Sequence, residues 1–144
     1  MKSIKEVLPK PSDAINAMIV GLMEIPKKNK NFKVDMGTFG TKDGNICYGC
    51  AATCTTFQAL NKKITGDNID GLFREESNQY PDDIGRFESV IDELRMGDLD
   101  FLFEFYGLDI VYPDEYLSEI YSDFTPEDLE PYEQYRDKLI KLGL

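Results

Sequence analysis

A strand pattern changes to a helix pattern within one stretch of the sequence, Ile46-Cys-Tyr-Gly-Cys-Ala-Ala-Thr-Cys-Thr-Thr-Phe-Gln-Ala-Leu60. The predicted fold is built around this change. The turn sequence Lys42-Asp-Gly-Asn45 precedes it, so residues 46–48 are predicted as the second arm of a hairpin. Residues 50–60 are predicted as a helix that packs closely through small side chains. On that helix Cys50, Cys54 and Phe57 fall at i, i+4 and i+7, which is typical of a buried apolar stripe.

The residues before this stretch predict one helix and the first arm of the hairpin. Ser12 is suited to cap a helix, with Asp13 in its first turn, and the basic stretch 26–31 is expected to end that helix. Apolar and polar residues alternate over 32–40, which predicts the first arm of the hairpin.

The residues after it have helical periodicity, over 81–96, 98–106, 114–121 and 126–142. Two helical faces are apolar and are predicted to enter the core: Ile84, Phe87, Ile91 and Leu94 on one, and Leu129, Tyr132, Tyr135 and Leu139 on the other. The predicted fold class is α+β and mainly helical, with a small antiparallel hairpin near the N-terminal third. We expect residues 1–144 to form a single compact acidic globular domain.

Composition bounds the class of protein. A chain of 144 residues with 42% hydrophobic residues can bury a core without disulfides or metals. It has no run of 18 apolar residues, which excludes a predicted transmembrane helix, and no recognisable signal peptide. The three cysteines are odd in number, which argues against a secreted disulfide framework. We therefore expect a cytoplasmic protein.

The charge is distributed unevenly along the chain. Residues 1–65 hold ten lysines and five acidic residues, whereas residues 66–144 hold six basic and 22 acidic residues. The halves carry net charges of +5 and −16 within a total of −11. Such a field attracts cations or a basic protein and disfavours nucleic acid and anionic membranes. The alternative interpretation is that the charge serves solubility alone.

The sequence lacks the residues that several classes of enzyme need for catalysis. The chain contains no histidine, which removes the commonest general base and the usual nucleophile systems. The string Gly37-Thr-Phe-Gly-Thr-Lys42 lacks the spacing of a phosphate-binding loop. A hydrolase with paired carboxylates stays open, but acidic residues are too numerous for any pair to be informative. We expect no enzymatic activity.

The cysteines Cys47, Cys50 and Cys54 allow two interpretations. Three thiolates could hold zinc or an iron–sulfur cluster, and the C-x-x-C pair could be redox-active, but there is no fourth soft ligand. Buried free cysteine behaves as a small apolar residue, and the helical stripe favours that interpretation.

Three acidic groups have the composition of a calcium site, which needs 6–8 oxygen ligands. Asp98, Asp100 and Glu104 would share a face in either a strand or a helix, although capping and a solvated face explain them as well. A second group is Asp67, Asn68 and Asp70.

This second group is not an EF-hand. Alignment on Gly71 places Gly66 where the first acid belongs and Ser77 where the bidentate Glu belongs. The alternative for this segment is a turn followed by a helix start. Asp35, beside Gly37, could supply a further carboxylate from a different element.

Two strings carry a resemblance to a known family: Val7-Leu-Pro-Lys-Pro-Ser-Asp-Ala-Ile15 and Cys47-Tyr-Gly-Cys-Ala-Ala-Thr-Cys54. In these, and in its acidic helical remainder, the chain resembles a family of small acidic cyanobacterial calcium-binding proteins without EF-hands. The resemblance implies a compact domain with more than one calcium site on a negative surface and no enzymatic activity. The cysteine block is not itself a calcium motif.

The leading hypothesis is a cytoplasmic calcium buffer or sensor that binds Ca²⁺ through surface carboxylates. The alternative from another class is an acidic interaction module, of the inhibitor or immunity type, that docks on a basic protein. A thiol-ligated metal or redox protein is a further alternative.

Overall fold

The computed structural model describes residues 2–69, 80–109 and 117–144. These residues form a mainly helical α+β fold with a small three-stranded sheet, which confirms the predicted fold class. The elements in chain order are α1 (Ile4–Val7), α2 (Pro11–Lys28), β1 (Phe32–Val34), β2 (Thr41–Asp43), β3 (Ile46–Gly49), α3 (Ala51–Leu60), α4 (Gly66–Ile69), α5 (Ile84–Arg95), α6 (Asp100–Phe105), a 3₁₀ turn (Pro126–Leu129) and α7 (Glu130–Lys141). No helix within these ranges is long and apolar enough to cross a membrane.

The sheet has three strands in the order β1-β3-β2. Strands β2 and β3 pair antiparallel around a tight turn at Gly44, whose φ of 62° suits glycine. The small hairpin is therefore confirmed, but its first arm is Thr41–Asp43 and not residues 32–40. Strand β1 instead pairs parallel with β3, with Phe32 opposite Cys47, because the buried Phe32 ring joins the core on that edge.

Helices α2 and α3 pack with their backbones close together. All residues of α3 from Ala51 to Phe57 are buried. A Cβ atom added at Gly21 of α2 would lie 2.6 Å from the carbonyl oxygen of Cys54. The predicted helix with small, close-packed side chains is thus confirmed, and Cys50, Cys54 and Phe57 are fully buried within it.

Helices α5 and α7 present the two predicted apolar faces. All eight predicted core residues are buried: Ile84, Phe87, Ile91, Leu94, Leu129, Tyr132, Tyr135 and Leu139. The Tyr132 hydroxyl lies 2.9 Å from the carbonyl oxygen of Leu94 and 3.0 Å from that of Ser118. This hydroxyl therefore joins α7 to the end of α5 and to the segment before α7.

The bounds of α2 differ from the prediction at both ends. The Asp13 carboxylate accepts a hydrogen bond from the backbone N–H of Lys10 at 3.0 Å, so the helix begins at Pro11 rather than after Ser12. At the other end Pro26 lies inside the last turn, and the helix continues to Lys28. Proline there leaves the Leu22 carbonyl oxygen without its usual helical donor, and the helix ends two residues later.

The predicted helix over 114–121 is wrong for its described part. Residues 114–116 lie outside the described residues, and residues 117–121 are not helical. The backbone N–H of Ile120 donates instead to the carbonyl oxygen of Arg95 at 2.8 Å. This bond to the end of α5 replaces the helical bond that the local pattern predicts.

Candidate metal site

The first acidic group lies at the start of α6. Asp98 lies two residues before the helix, and its Oδ1 accepts a hydrogen bond from the backbone N–H of Asp100 at 2.9 Å. The prediction that Asp98 is the N-cap is wrong: Leu99 occupies that position, and Asp98 forms a local turn before the helix through its bond to the N–H two residues on. The second carboxylate oxygen of Asp98 makes no hydrogen bond to a described residue and is available to a cation.

Asp100 and Glu104 project from the exposed side of α6. The two residues are four apart in the helix, which places their Cβ atoms about 5–6 Å apart. Both side chains are exposed, whereas Leu102, Phe103 and Phe105 of the same helix are buried. The structure therefore places the two carboxylates on one solvated face, as the helical interpretation predicted.

None of these three carboxylates has a cationic partner among the described residues. The nearest guanidinium along the groove between α5 and α6 belongs to Arg86, which lines one cavity with Glu104. Its Cζ lies 5.4 Å from the centre of the Phe105 ring, in a cation–π arrangement. Arg86 and Glu104 form no salt bridge, so the Glu104 carboxylate stays available to a cation from solvent.

The coordination geometry of this face is open. Within residues 2–69, 80–109 and 117–144, no group of three or more acidic or cysteine side chains converges closely enough to hold a metal ion. Calcium bound at Asp98, Asp100 and Glu104 would therefore take most of its 6–8 oxygen ligands from water. The arrangement suits an exchangeable surface site better than a closed cage.

The second acidic group is only partly described. Residue Asp70 and the side chain of Asp67 lie outside the described residues. The Asn68 side-chain oxygen accepts a hydrogen bond from the Thr65 N–H at 2.8 Å, and its amide donates to the Lys63 carbonyl oxygen at 2.9 Å. Because the Asn68 N–H also donates to the Thr65 hydroxyl at 3.2 Å, Thr65 and Asn68 exchange the paired bonds of a capping box, and the described residues 65–69 form a helix start.

Asp35 is exposed at the end of β1 and serves the turn that follows it. Its Oδ1 accepts a hydrogen bond from the Gly37 N–H at 2.8 Å. Among the described residues the structure does not bring Asp35 into a metal-binding group with other acids. One carboxylate oxygen of Asp35 still faces solvent, as at Asp98.

The three cysteines belong to the core. Cys47, Cys50 and Cys54 are all free thiols and all buried. Burial raises the pKa of the Cys54 thiol strongly, and it also raises that of Cys50, although a hydrogen bond from Thr53 opposes the rise. Because metal ligation and redox attack both need the thiolate, the environment disfavours these roles. The core interpretation of the stripe is confirmed.

A groove between α5 and α6 was not predicted from the sequence. It is a cavity of about 230 Å³ beside Phe101, whose ring is 44% exposed. Its α5 side is formed by Arg86, Ser89 and Val90. The sequence feature that could have indicated this groove is the position of Phe101 next to Asp100, on the polar side of the helix.

Comparisons with models of protein families, with curated proteins and with solved structures found no match to this chain. The resemblance to the acidic cyanobacterial calcium-binding family accordingly stays a prediction.

Proposed function

We propose that this protein binds calcium ions through exposed carboxylates and acts without catalysis, as a buffer or sensor in the cytoplasm. The observation that carries the proposal is the exposed side of α6, where Asp100 and Glu104 share one solvated face and Asp98 precedes the helix, none of them with a salt-bridge partner among the described residues. Uncompensated carboxylates on one face repel one another, and a bound dication relieves that repulsion.

The charge of residues 66–144 supports the same proposal. A net charge of −16 on this part of the chain raises the local concentration of cations around α6. A cytoplasmic sensor binds calcium with a Kd of about 10⁻⁷–10⁻⁵ M, so the proposal requires direct ligation by the carboxylates in addition to this enrichment.

The second part of the proposal concerns Asp67, Asn68, Asp70 and Asp35. Asn68 and Asp35 each use one side-chain oxygen in a local hydrogen bond, and a carboxylate or amide oxygen can accept a second partner. We propose that Asn68 contributes to a second, weaker site with Asp67 and Asp70, and that Asp35 supplies a separate carboxylate from the end of β1.

The test is a matched pair of variants with the same change of charge. The site variant is Asp98→Asn, Asp100→Asn and Glu104→Gln, in which the amide introduced at position 98 retains an oxygen that can accept the hydrogen bond from the N–H of residue 100. The control variant is Asp123→Asn, Glu127→Gln and Glu130→Gln, at three exposed positions outside this face.

Calcium affinity should fall at least about tenfold in the site variant and by less than about twofold in the control. An equal loss in both variants would mean that diffuse charge, and not this face, attracts the ion.

A second candidate function is docking of a basic protein, and the exposed Phe101 favours it. A half-exposed aromatic ring beside a groove and unpaired carboxylates is the composition of a small anchor surrounded by charge. For a lysine-rich amphipathic peptide as the probe, we expect salt-sensitive binding that Phe101→Ala weakens. The same substitution should leave calcium affinity unchanged, which distinguishes the two functions.

A further inference from the structure

The basic half of the chain contains a cavity of about 440 Å³ that the calcium proposal does not use. It lies between the end of α2, the β2–β3 hairpin and the start of α4. Its apolar lining comes from Phe32, Cys47 and Ile64. Its polar rim is formed by Lys30, Asn31, Lys42, Asn45, Thr65 and Gly66.

The rim of the cavity contains two lysines, Lys30 and Lys42. Lys30 and Lys42 form no salt bridge with any residue in the described ranges, although the chain as a whole has an excess of 11 negative charges. Both belong to the segment 1–65, with its net charge of +5. Two ammonium groups at the mouth of one cavity create a local positive potential within an acidic protein.

The rim also offers neutral hydrogen-bond donors. The side-chain amides of Asn31 and Asn45 make no hydrogen bond to a described residue and are exposed beside the lysines. The Thr65 hydroxyl accepts a hydrogen bond from the Asn68 N–H at 3.2 Å, which leaves its own proton free to be donated. Ammonium, amide and hydroxyl groups together are suited to oxygen atoms that carry negative charge.

Local hydrogen bonds fix the walls of the cavity. The Asn29 side chain accepts from the Ile64 N–H at 3.1 Å and donates to the Ile25 carbonyl oxygen at 2.9 Å, so it ties two walls together. The Cys47 N–H donates to the Asn31 carbonyl oxygen at 2.7 Å. The Lys42 side chain crosses directly over Gly66, where an added Cβ would lie 2.9 Å from its Nζ. A site held in this way needs little reorganisation to bind a ligand.

We propose that this cavity binds a small molecule that carries a phosphate or diphosphate group. Lysine binds phosphate as a point charge, and two lysines with flanking amides match two or more phosphate oxygens. The volume lies within the range of small-molecule pockets, about 300–1,000 Å³. The Phe32 and Ile64 side chains would contact the organic part of the ligand.

The test is a calorimetric titration of inorganic pyrophosphate into the full chain, freed of metal ions, at about 0.15 M salt. The site variant is Lys30→Gln and Lys42→Gln. The control variant, Lys27→Gln and Lys33→Gln, removes the same charge at exposed lysines that do not line the cavity. Thermal unfolding of all three proteins checks that the fold is retained.

We expect saturable binding of one pyrophosphate by the native chain, weakened at least about tenfold in the site variant and less than about twofold in the control. An equal loss in both variants would overturn the proposal, because the attraction would be general electrostatics. Absence of saturable binding to the native chain would overturn it as well. Because no calcium is present, the result is independent of the calcium proposal.

Discussion

The close contact between α2 and α3 gives the sharpest prediction about the fold. Gly21→Ala adds a Cβ atom 2.6 Å from the Cys54 carbonyl oxygen, 2.9 Å from its carbonyl carbon and 3.2 Å from the Thr55 nitrogen. All three are backbone atoms, so no side-chain rotation relieves the overlap. The two helices must move apart by several tenths of an ångström, which also loosens the packing around the buried cysteines.

Gly85→Ala provides the matched control. Gly85 lies in the first turn of α5, is exposed, and has no heavy atom within 4 Å of an added Cβ. Alanine there gains helix propensity of about 0.5 kcal/mol with no steric cost. At Gly21 the same gain is outweighed by overpacking, which typically costs about 1–3 kcal/mol and more where backbone is involved.

Urea unfolding followed by circular dichroism measures both effects. We expect Gly21→Ala to lower the free energy of unfolding by about 2 kcal/mol and Gly85→Ala to raise it by about 0.5 kcal/mol. The slope of the free energy of unfolding against urea concentration should not change in either variant. If Gly21→Ala is as stable as the native protein, the close approach of α2 and α3 is refuted.

Three further predictions concern buried polar groups. Tyr132→Phe should cost about 1–3 kcal/mol in urea unfolding, because the buried hydroxyl that links α7 to the end of α5 is lost; a change below about 0.5 kcal/mol would contradict this role. Thr56→Val should be neutral or stabilise by up to about 1 kcal/mol, since the buried Thr56 hydroxyl has no partner among the described residues. Thr55→Val, which removes a 2.7 Å hydrogen bond to the Ala51 carbonyl oxygen, should destabilise the protein. If Thr56→Val is instead less stable than Thr55→Val, the assigned hydrogen bonding of the two hydroxyls is refuted. The raised pKa of Cys54 means that its contribution to stability is complete below the unfolded thiol pKa of about 8.5 and declines as pH rises above it. The urea concentration at the unfolding midpoint should therefore decrease as the pH is raised from about 8 to about 10. This decrease should be smaller in Cys54→Ala.

The local patterns in the sequence predicted the parts of the fold that depend on local periodicity. The apolar faces of α5 and α7 and the stripe of α3 repeat at helical spacing, so their burial follows from the sequence alone. The predicted N-cap at Asp98 was displaced by one residue, because its short side chain bonds the N–H two residues on and forms a turn before the helix.

The observed structure differs from the prediction where a segment forms hydrogen bonds with residues that are distant in the sequence. Strand β1 alternates as predicted but pairs with the far edge of β3, and no local residue specifies that choice. Residues 117–121 have helical periodicity, yet the Ile120 N–H bonds to the Arg95 carbonyl oxygen 25 residues away. Sequence patterns carry no direct information on such pairings.

The candidate site was predictable in composition but not in geometry. With 22 acidic residues in 66–144, their identity alone cannot distinguish ligands from caps, and Asn68 and Asp35 each serve a local turn. The basic cavity escaped prediction for a related reason. Its rim comes from three separate segments, around Lys30, Lys42 and Thr65, which only the fold brings together.

The most direct test of the proposed function is a calorimetric titration of calcium into chelator-treated protein at about 0.15 M salt with excess magnesium, which screens diffuse attraction. Calcium binding through the α6 carboxylates predicts saturable uptake of one or two ions, with a Kd in the micromolar range or tighter, at or below about 10⁻⁵ M, that magnesium does not abolish. Unsaturable heat that disappears with added salt would contradict it, and the acidic face would then be assigned to the docking of a basic protein.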